Sequence, residues 1–136
     1  MKIMVCGSMY FSKEMLETKE ILEKKGHEVM VPDDVHKCVE NPKLNMDFDH
    51  CIRNQIDKKC FDKVAESDAI VVLNYPKNNI KGYIGGNTLM EIGIARHLNK
   101  KIFLLHELPN EEEQRHALEI KIAQPIILNG DLDKIE

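Results

Sequence analysis

The sequence has few aromatic residues and lacks the features that mark a membrane-spanning or nucleic-acid-binding protein. Tryptophan is absent, and aromatic side chains make up 5% of the 136 residues. No apolar run approaches the ~20 residues that a membrane-spanning helix needs. The formal net charge of -4 gives no bulk basic surface. We therefore expect neither a membrane nor duplex nucleic acid as a partner.

The cysteines lack the spacing of a metal site or a redox motif. No C-x-x-C pair occurs, which argues against a zinc ribbon and a thioredoxin motif, and no metal or other cofactor is expected. Residues 1–7 lack the apolar segment and cleavage site of a secretory signal, so the expected location is the cytoplasm, where thiols stay reduced. The cysteines are Cys6, Cys38, Cys51 and Cys60.

Five short apolar runs along the chain predict five strands. The third and fourth runs are continuous rather than alternating, as expected for strands covered by helices on both faces. Segments with helical spacing separate the runs. This alternation predicts one α/β domain over 1–136, with a doubly wound, flavodoxin-like or Rossmann-like, five-stranded parallel sheet and helices on both faces. The predicted strands are 3–6, 28–31, 69–73, 102–105 and 125–128.

Four helices are predicted between these strands. Ser12 caps the first helix and Gly26 ends it. The second has an apolar or cysteine residue at every fourth position from Ile52 to Val64, a pattern that packs one helix face. Asn110 is the predicted cap of the fourth, with acidic residues in its first turn. The predicted helices are 12–25, 48–66, 88–98 and 110–122.

The segments that follow the strands are the first place to search for a site, because ligands of open parallel sheets bind beyond the carboxyl ends of the strands. The chain has neither the G-x-G-x-x-G motif of dinucleotide-binding proteins nor a P-loop, and no acidic residue ends the first strand. The connection after the third strand, 75–86, takes twelve residues, whereas such loops commonly take about two to six. Its length predicts a functional loop.

The end of this loop contains the residues best suited to bind a ligand or to react with it. Gly85 and Gly86 precede a helix, whose free N–H groups and dipole favour a phosphate or carboxylate. Thr88 and Glu91 match a capping box, which is a structural role. Alternatively, the Glu91 carboxylate faces a ligand and attacks an acetal carbon, as in retaining glycosidases. Asn74, which ends the third strand, is able to bond either a ligand hydroxyl or loop backbone.

Three stretches spread over most of the chain form one pattern. They read MVCGS at 4–8, SDAIVV at 67–72 and, after the two glycines, EIGIA at 91–95, followed by KIFL at 101–104. Together they resemble the nucleoside 2-deoxyribosyltransferase superfamily, which includes deoxynucleoside monophosphate N-glycosidases. The loop YIGGNT at 83–88 is most similar to an uncharacterised branch of that superfamily.

The resemblance implies cleavage or transfer at the N-glycosidic bond of a nucleoside or nucleotide. In the superfamily, the glutamate of the E-[LIM]-G-x-A stretch attacks C1′ and displaces the base, a role that falls on Glu91. The glycine-serine turn after the first strand lies against the nucleoside, and a nearby aromatic residue, here Tyr10 or Phe11, helps to form the sugar pocket. The predicted substrate-binding residues are Gly7, Ser8, Tyr10, Asn74, Tyr83, Gly85, Gly86, Asn87 and Thr88.

Two acidic positions of the superfamily are occupied differently in this chain. An aspartate that precedes the third strand falls on Cys60, with Asp57 and Asp62 nearby, and an acidic residue six positions before the glutamate falls on Gly85. A second carboxyl supplies general-acid assistance of about 10²- to 10⁴-fold. A non-catalytic module that binds or senses a nucleotide is therefore a second hypothesis.

A weaker resemblance gives a third hypothesis. The phosphoribohydrolases that release cytokinin bases carry P-G-G-x-G-T-x-x-E, and 84–91 of this chain read IGGNTLME. This resemblance also implies N-glycosidic chemistry at the same loop. The superfamily resemblance further implies a homodimer or higher homo-oligomer, because its members often complete their sites across a subunit interface.

Overall fold

The computed structural model describes residues 1–136, and its centre is a five-stranded parallel sheet. The predicted α/β fold is confirmed, and the first and last residues of each strand lie within one or two positions of those predicted. None of the helices combines the length and the apolar character needed to cross a membrane. The strands, in the order β2-β1-β3-β4-β5 across the sheet, are β1 (Lys2–Cys6), β2 (Glu28–Met30), β3 (Ala69–Val72), β4 (Lys101–Leu104) and β5 (Ile126–Ile127).

Six α-helices connect the strands, where the sequence predicted four. The prediction of a single helix over 48–66 is wrong, because Gln55 adopts a left-handed φ of 47° and divides the segment. The predicted fourth helix begins late, since the Asn110 side chain accepts the N–H of Glu112 (2.7 Å) in a local turn. The helices are α1 (Ser12–Lys24), α2 (Val35–Glu40), α3 (Phe48–Arg53), α4 (Ile56–Glu66), α5 (Gly86–His97) and α6 (Ala117–Ile122).

Each face of the sheet has its own apolar core, because successive strand residues point to opposite sides. Ile3 and Val5 of β1 pack on one side with buried residues of α1 and α2. Met4 and Cys6 pack on the other side with buried residues of α4, α5 and α6. Burial on both faces is the physical reason for the continuous apolar runs of the central strands.

The strand order determines where a ligand is expected to bind. From β1 the chain moves to β2 on one side of the sheet, and then crosses to β3 on the other side. β1 and β3 are neighbours in the sheet, and the connections that follow them therefore diverge and leave a crevice beyond their carboxyl ends. Such a topological switch point is the usual binding site of an open parallel sheet.

Candidate functional site

A cavity of about 1050 Å³ opens beyond the carboxyl end of β1. Its size is at the upper end of the range for small-molecule sites. Three parts of the chain supply most of its lining, namely the turn after β1, the loop after β3 with the first turns of α5, and the segment 41–61; Pro32, after β2, also contributes. All but one of the predicted site residues line this cavity, namely Glu91, Gly7, Ser8, Tyr10, Tyr83, Gly85, Gly86, Asn87 and Thr88.

Asn74 is the exception, and its prediction as a substrate-binding residue is corrected here. The residue is fully buried and does not line the cavity. Its amide nitrogen donates to the carbonyls of His106 (2.9 Å) and Glu107 (3.1 Å), while its side-chain oxygen accepts the N–H of His106 (2.8 Å). The amide thus joins the end of β3 to the loop after β4. Of the two alternatives given by the sequence, a ligand hydroxyl or loop backbone, the structure shows loop backbone.

The long loop after β3 is held in place by buried polar contacts. The Gln114 side chain accepts the N–H of Ile84 (2.9 Å) and donates to its carbonyl (3.0 Å), as a neighbouring strand would. Gly82 has a φ of +70°, and a Cβ there would overlap the carbonyl oxygen of Glu107. The loop is therefore pre-organised rather than free, which matters because it leads directly to Gly85 and α5.

We predict that Gln114→Ala will loosen this loop. Removal of the side chain leaves the N–H of the buried Ile84 without its partner, which typically costs about 1 to 3 kcal/mol. The free energy of unfolding, measured by urea titration, should fall by that amount, and hydrogen exchange should accelerate over 80–86. The exposed neighbour Glu113→Ala is the matched control. Unchanged exchange in the Gln114 variant would contradict this role.

The capping-box interpretation of Glu91 is wrong. Helix α5 begins at Gly86 with Gly85 as its N-cap, and no side chain caps it. Thr88 therefore lies inside the first turn, where it is buried, rather than at the cap. Glu91 is a turn and a half along the helix and only 6% exposed, and it lines the cavity instead of bonding back to Thr88.

The surroundings of Glu91 favour its neutral form. Burial raises the pKa of its carboxyl to about 8, although the nearby Cys6 thiol opposes the rise. Cys6 and Cys60 also line the cavity. Burial, reinforced by the nearby Glu91, raises the pKa of Cys60 to about 12 and the pKa of Cys6 well above its ordinary value. Both thiols are thus protonated at neutral pH and poor nucleophiles.

The segment 41–61 forms an apolar wall that the sequence prediction missed. Phe48 and Ile52 are exposed by 73% and 56%, and both face the cavity together with Ile56. The four-residue stripe was predicted to pack on the core along its whole length. Only its later part does so, with Cys60 and Val64 buried, because the break at Gln55 turns α3 away.

Three further charged residues line the cavity and were not among the predicted site residues. Lys43 lies in the segment 41–61, Lys77 in the long loop, and Asp57 in the first turn of α4. Asp57 is one turn before Cys60, and both residues line the cavity. Sequence analysis named Asp57 as a neighbour of Cys60, and a separation of three residues places both on the same side of α4.

Comparisons with known proteins identify the fold. No protein-family model matches the chain, and no curated protein matches it. Among solved structures, it is similar to the CMP N-glycosidase BcmB of Clostridium botulinum, with 24% identity and a TM-score of 0.51 over 95% of this chain and 90% of that one. A 2-deoxyribosyltransferase from Bacillus psychrosaccharolyticus is 20% identical, with a TM-score of 0.49 over 76% and 71%. The first likeness shows that the chain shares the fold of that N-glycosidase.

Proposed function

We propose that this chain cleaves or transfers at the N-glycosidic bond of a nucleoside or nucleotide, with Glu91 as the nucleophile. The observation that carries the proposal is the buried Glu91 carboxyl in the wall of the cavity. The protonated thiols of Cys6 and Cys60 leave this carboxyl as the better nucleophile. The resemblance of 91–95 to the superfamily and the fold shared with a CMP N-glycosidase support the same chemistry.

The proposed reaction has two steps. The ionised Glu91 carboxylate attacks C1′ of the sugar, the C1′–N bond breaks, and its electron pair leaves with the base, which takes a proton from an acid. A glycosyl ester on Glu91 remains. Water, or a second base, then attacks C1′, gives up its proton to the group that acted as acid, and releases the carboxylate. A carboxylate in an apolar cavity stabilises the positive charge that develops on the sugar more strongly than it would in water.

Asp57 is our candidate for that acid. It is the one carboxyl besides Glu91 among the residues that line the cavity. We predict that Asp57→Asn will lower kcat for base release by about 10²- to 10⁴-fold, the usual contribution of a positioned acid. Asp62→Asn is the matched control, because Asp62 is an exposed aspartate of the same helix outside the cavity. Equal kcat values for the two variants would remove Asp57 from the mechanism.

A panel assay tests the proposed function itself. The purified protein is incubated with ribonucleosides, 2′-deoxynucleosides and their 5′-monophosphates, and free base is quantified by liquid chromatography, with and without a second base as acceptor. Base release from at least one class is the expected result. Release from ribonucleotides alone would favour the phosphoribohydrolase hypothesis. An intact nucleotide that binds tightly in calorimetry and yields no product would overturn the enzymatic proposal in favour of a binding module.

A further inference from the structure

The segment 42–54 forms the outer wall of the cavity without being built into the core. It consists of a short 3₁₀ helix, Pro42–Met46, followed by α3, and neither contains a buried residue. All residues from 41 to 55 are exposed or half-buried, whereas every stretch of fifteen residues elsewhere in the chain includes buried side chains. Segments with few buried contacts open at low cost in free energy.

The hydrogen bonds of this segment are local. The backbone bonds that end its turns join residues no more than four positions apart, as between the N–H of Cys51 and the carbonyl of Asp47 at 3.0 Å. None of them reaches the sheet or another helix. At its far end, Gln55 has a left-handed φ of 47° and separates α3 from α4. The segment is therefore able to move about its ends without disrupting the sheet.

One polar contact between side chains connects the segment to the rest of the fold. His50 Nε2, on α3, lies 3.5 Å from Oδ2 of Asp34, which follows β2. The other side-chain hydrogen bonds of the segment stay within 41–54. The half-buried Leu44 adds an apolar contact with the core. The pair of His50 and Asp34 is thus the polar anchor of α3.

This anchor is oriented, but its hydrogen bond is incomplete. The Asn54 amide nitrogen lies 3.2 Å from His50 Nδ1 and 2.9 Å from the His50 carbonyl oxygen, and it donates to both. Nδ1 is then an acceptor, so the ring proton is on Nε2 and faces Asp34. The 3.5 Å contact exceeds the usual limit of about 3.2 Å, and His50 Nε2 and Asp34 Oδ1 are both buried without a hydrogen-bond partner. Because an unpaired buried polar atom costs free energy, a small displacement of α3 that completes the bond would be stabilised.

The side of α3 opposite this anchor is apolar and faces the cavity. Phe48 and Ile52 are one helical turn apart, and both line the cavity. His50 lies midway between them in sequence, which places it on the other side of the helix. Most of the Phe48 and Ile52 surface is exposed. A ligand that removes this surface from water would favour the approach of α3.

We propose that 42–54 is a movable lid of the cavity, that it closes over a bound ligand through Phe48 and Ile52, and that Asp34 positions it through His50. This inference goes beyond the proposed function, because the lid is testable on the free protein whether or not base is released. Asp34 and His50 are positioning residues in this proposal. Neither lines the cavity, so they act on a ligand through the placement of α3.

Hydrogen exchange of the free protein tests the lid and its anchor. The amides of α3 should exchange at least about 100-fold faster than those of α4, and exchange as slow as that of α4 would overturn the lid. Asp34→Ala and His50→Ala should each accelerate exchange over 47–54 by about three- to tenfold, and the double variant should exceed neither. The exposed Asp49→Ala and His36→Ala are the matched controls. Additive effects would overturn the anchor, as would unchanged exchange in His50→Ala, which decides this arm if Asp34→Ala does not fold.

The absence of tryptophan from the chain allows a single reporter to follow closure. The probes are adenosine, cytidine, their 2′-deoxy forms and their 5′-monophosphates. Acrylamide should quench the indole of Phe48→Trp in the free protein, and the quenching constant should fall at least about twofold when a probe binds. Ile122→Trp is the control, because Ile122 is exposed on α6 and does not line the cavity. A probe that binds in calorimetry and leaves the quenching constant of Phe48→Trp unchanged would overturn closure.

The kinetic arm separates this proposal from the proposed function. In Asp34→Ala, KM for the best substrate among the probes should rise by about three- to tenfold, and kcat should stay within about twofold of wild type. A fall in kcat at unchanged KM would contradict a positioning role. If none of the probes binds or reacts, the proposed function fails, and hydrogen exchange of the free protein alone decides the lid.

Discussion

Glu91→Gln should abolish base release, with a fall in kcat of about 10³-fold or more. The amide keeps the size and shape of the carboxyl, so the packing of α5 on the sheet should persist, but an amide oxygen cannot form the proposed glycosyl ester. Without the attacking carboxylate, the reaction through a covalent glycosyl-enzyme intermediate is no longer available. The measurement is single-turnover release of base from the best substrate of the panel, together with the dissociation constant of that substrate, which should change little.

Two further observations make this test specific. Denaturing mass spectrometry of the quenched wild-type reaction should detect the mass of a sugar on the protein, and the variant should show none. Glu119→Gln, on the exposed face of α6, should behave as wild type. Full activity in Glu91→Gln would sink the assignment of the nucleophile, and retained binding with lost turnover would separate chemistry from folding.

The sheet was predictable because its signal is local and strong. The runs that became β3 and β4 consist of aliphatic and aromatic residues buried on both faces, and their short length and β-branched or aromatic residues favour strands over buried helical segments. The segment 41–61 was not predictable in the same way. A left-handed Gln55 has no warning in the sequence, because neither glycine nor proline stands there, and tertiary packing overrides the helical pattern around it.

The site was predictable to the extent that it depends on strand ends and the glycine-bearing loop. Residues beyond β1 and in 83–91 were found because the topology of a parallel sheet fixes their location. Lys77 was not singled out, because only the type I′ turn at Asn78 and Asn79 directs it toward Ser8. Asn74 was misassigned because an amide that ends a buried strand has the same appearance in a sequence whether it meets a ligand or a neighbouring loop.

The pH dependence of activity should follow the ionisation of Glu91. Its pKa of about 8 means that most molecules hold a protonated, non-nucleophilic carboxyl at pH 7. In Asp57→Asn, where the proposed acid no longer titrates, we expect kcat/KM, which reports the free protein, to rise about tenfold per pH unit below pH 8 and to level off above it. A flat profile between pH 6.5 and 8 would contradict the idea that ionised Glu91 of the free protein is the attacking group.

The same ionisation predicts an opposite trend in stability. The folded chain keeps a proton on Glu91 up to about pH 8, whereas the unfolded chain releases it near the ordinary pKa of 4.5. The folded state therefore binds more protons between these values, and the free energy of unfolding should fall as pH rises through this window, by up to about 4 kcal/mol. Glu91→Gln carries no such proton, so urea titrations should show its stability rising relative to wild type from pH 5 to pH 8. A constant difference between the two proteins would mean that Glu91 ionises at an ordinary pKa, and the activity profile should then be flat as well.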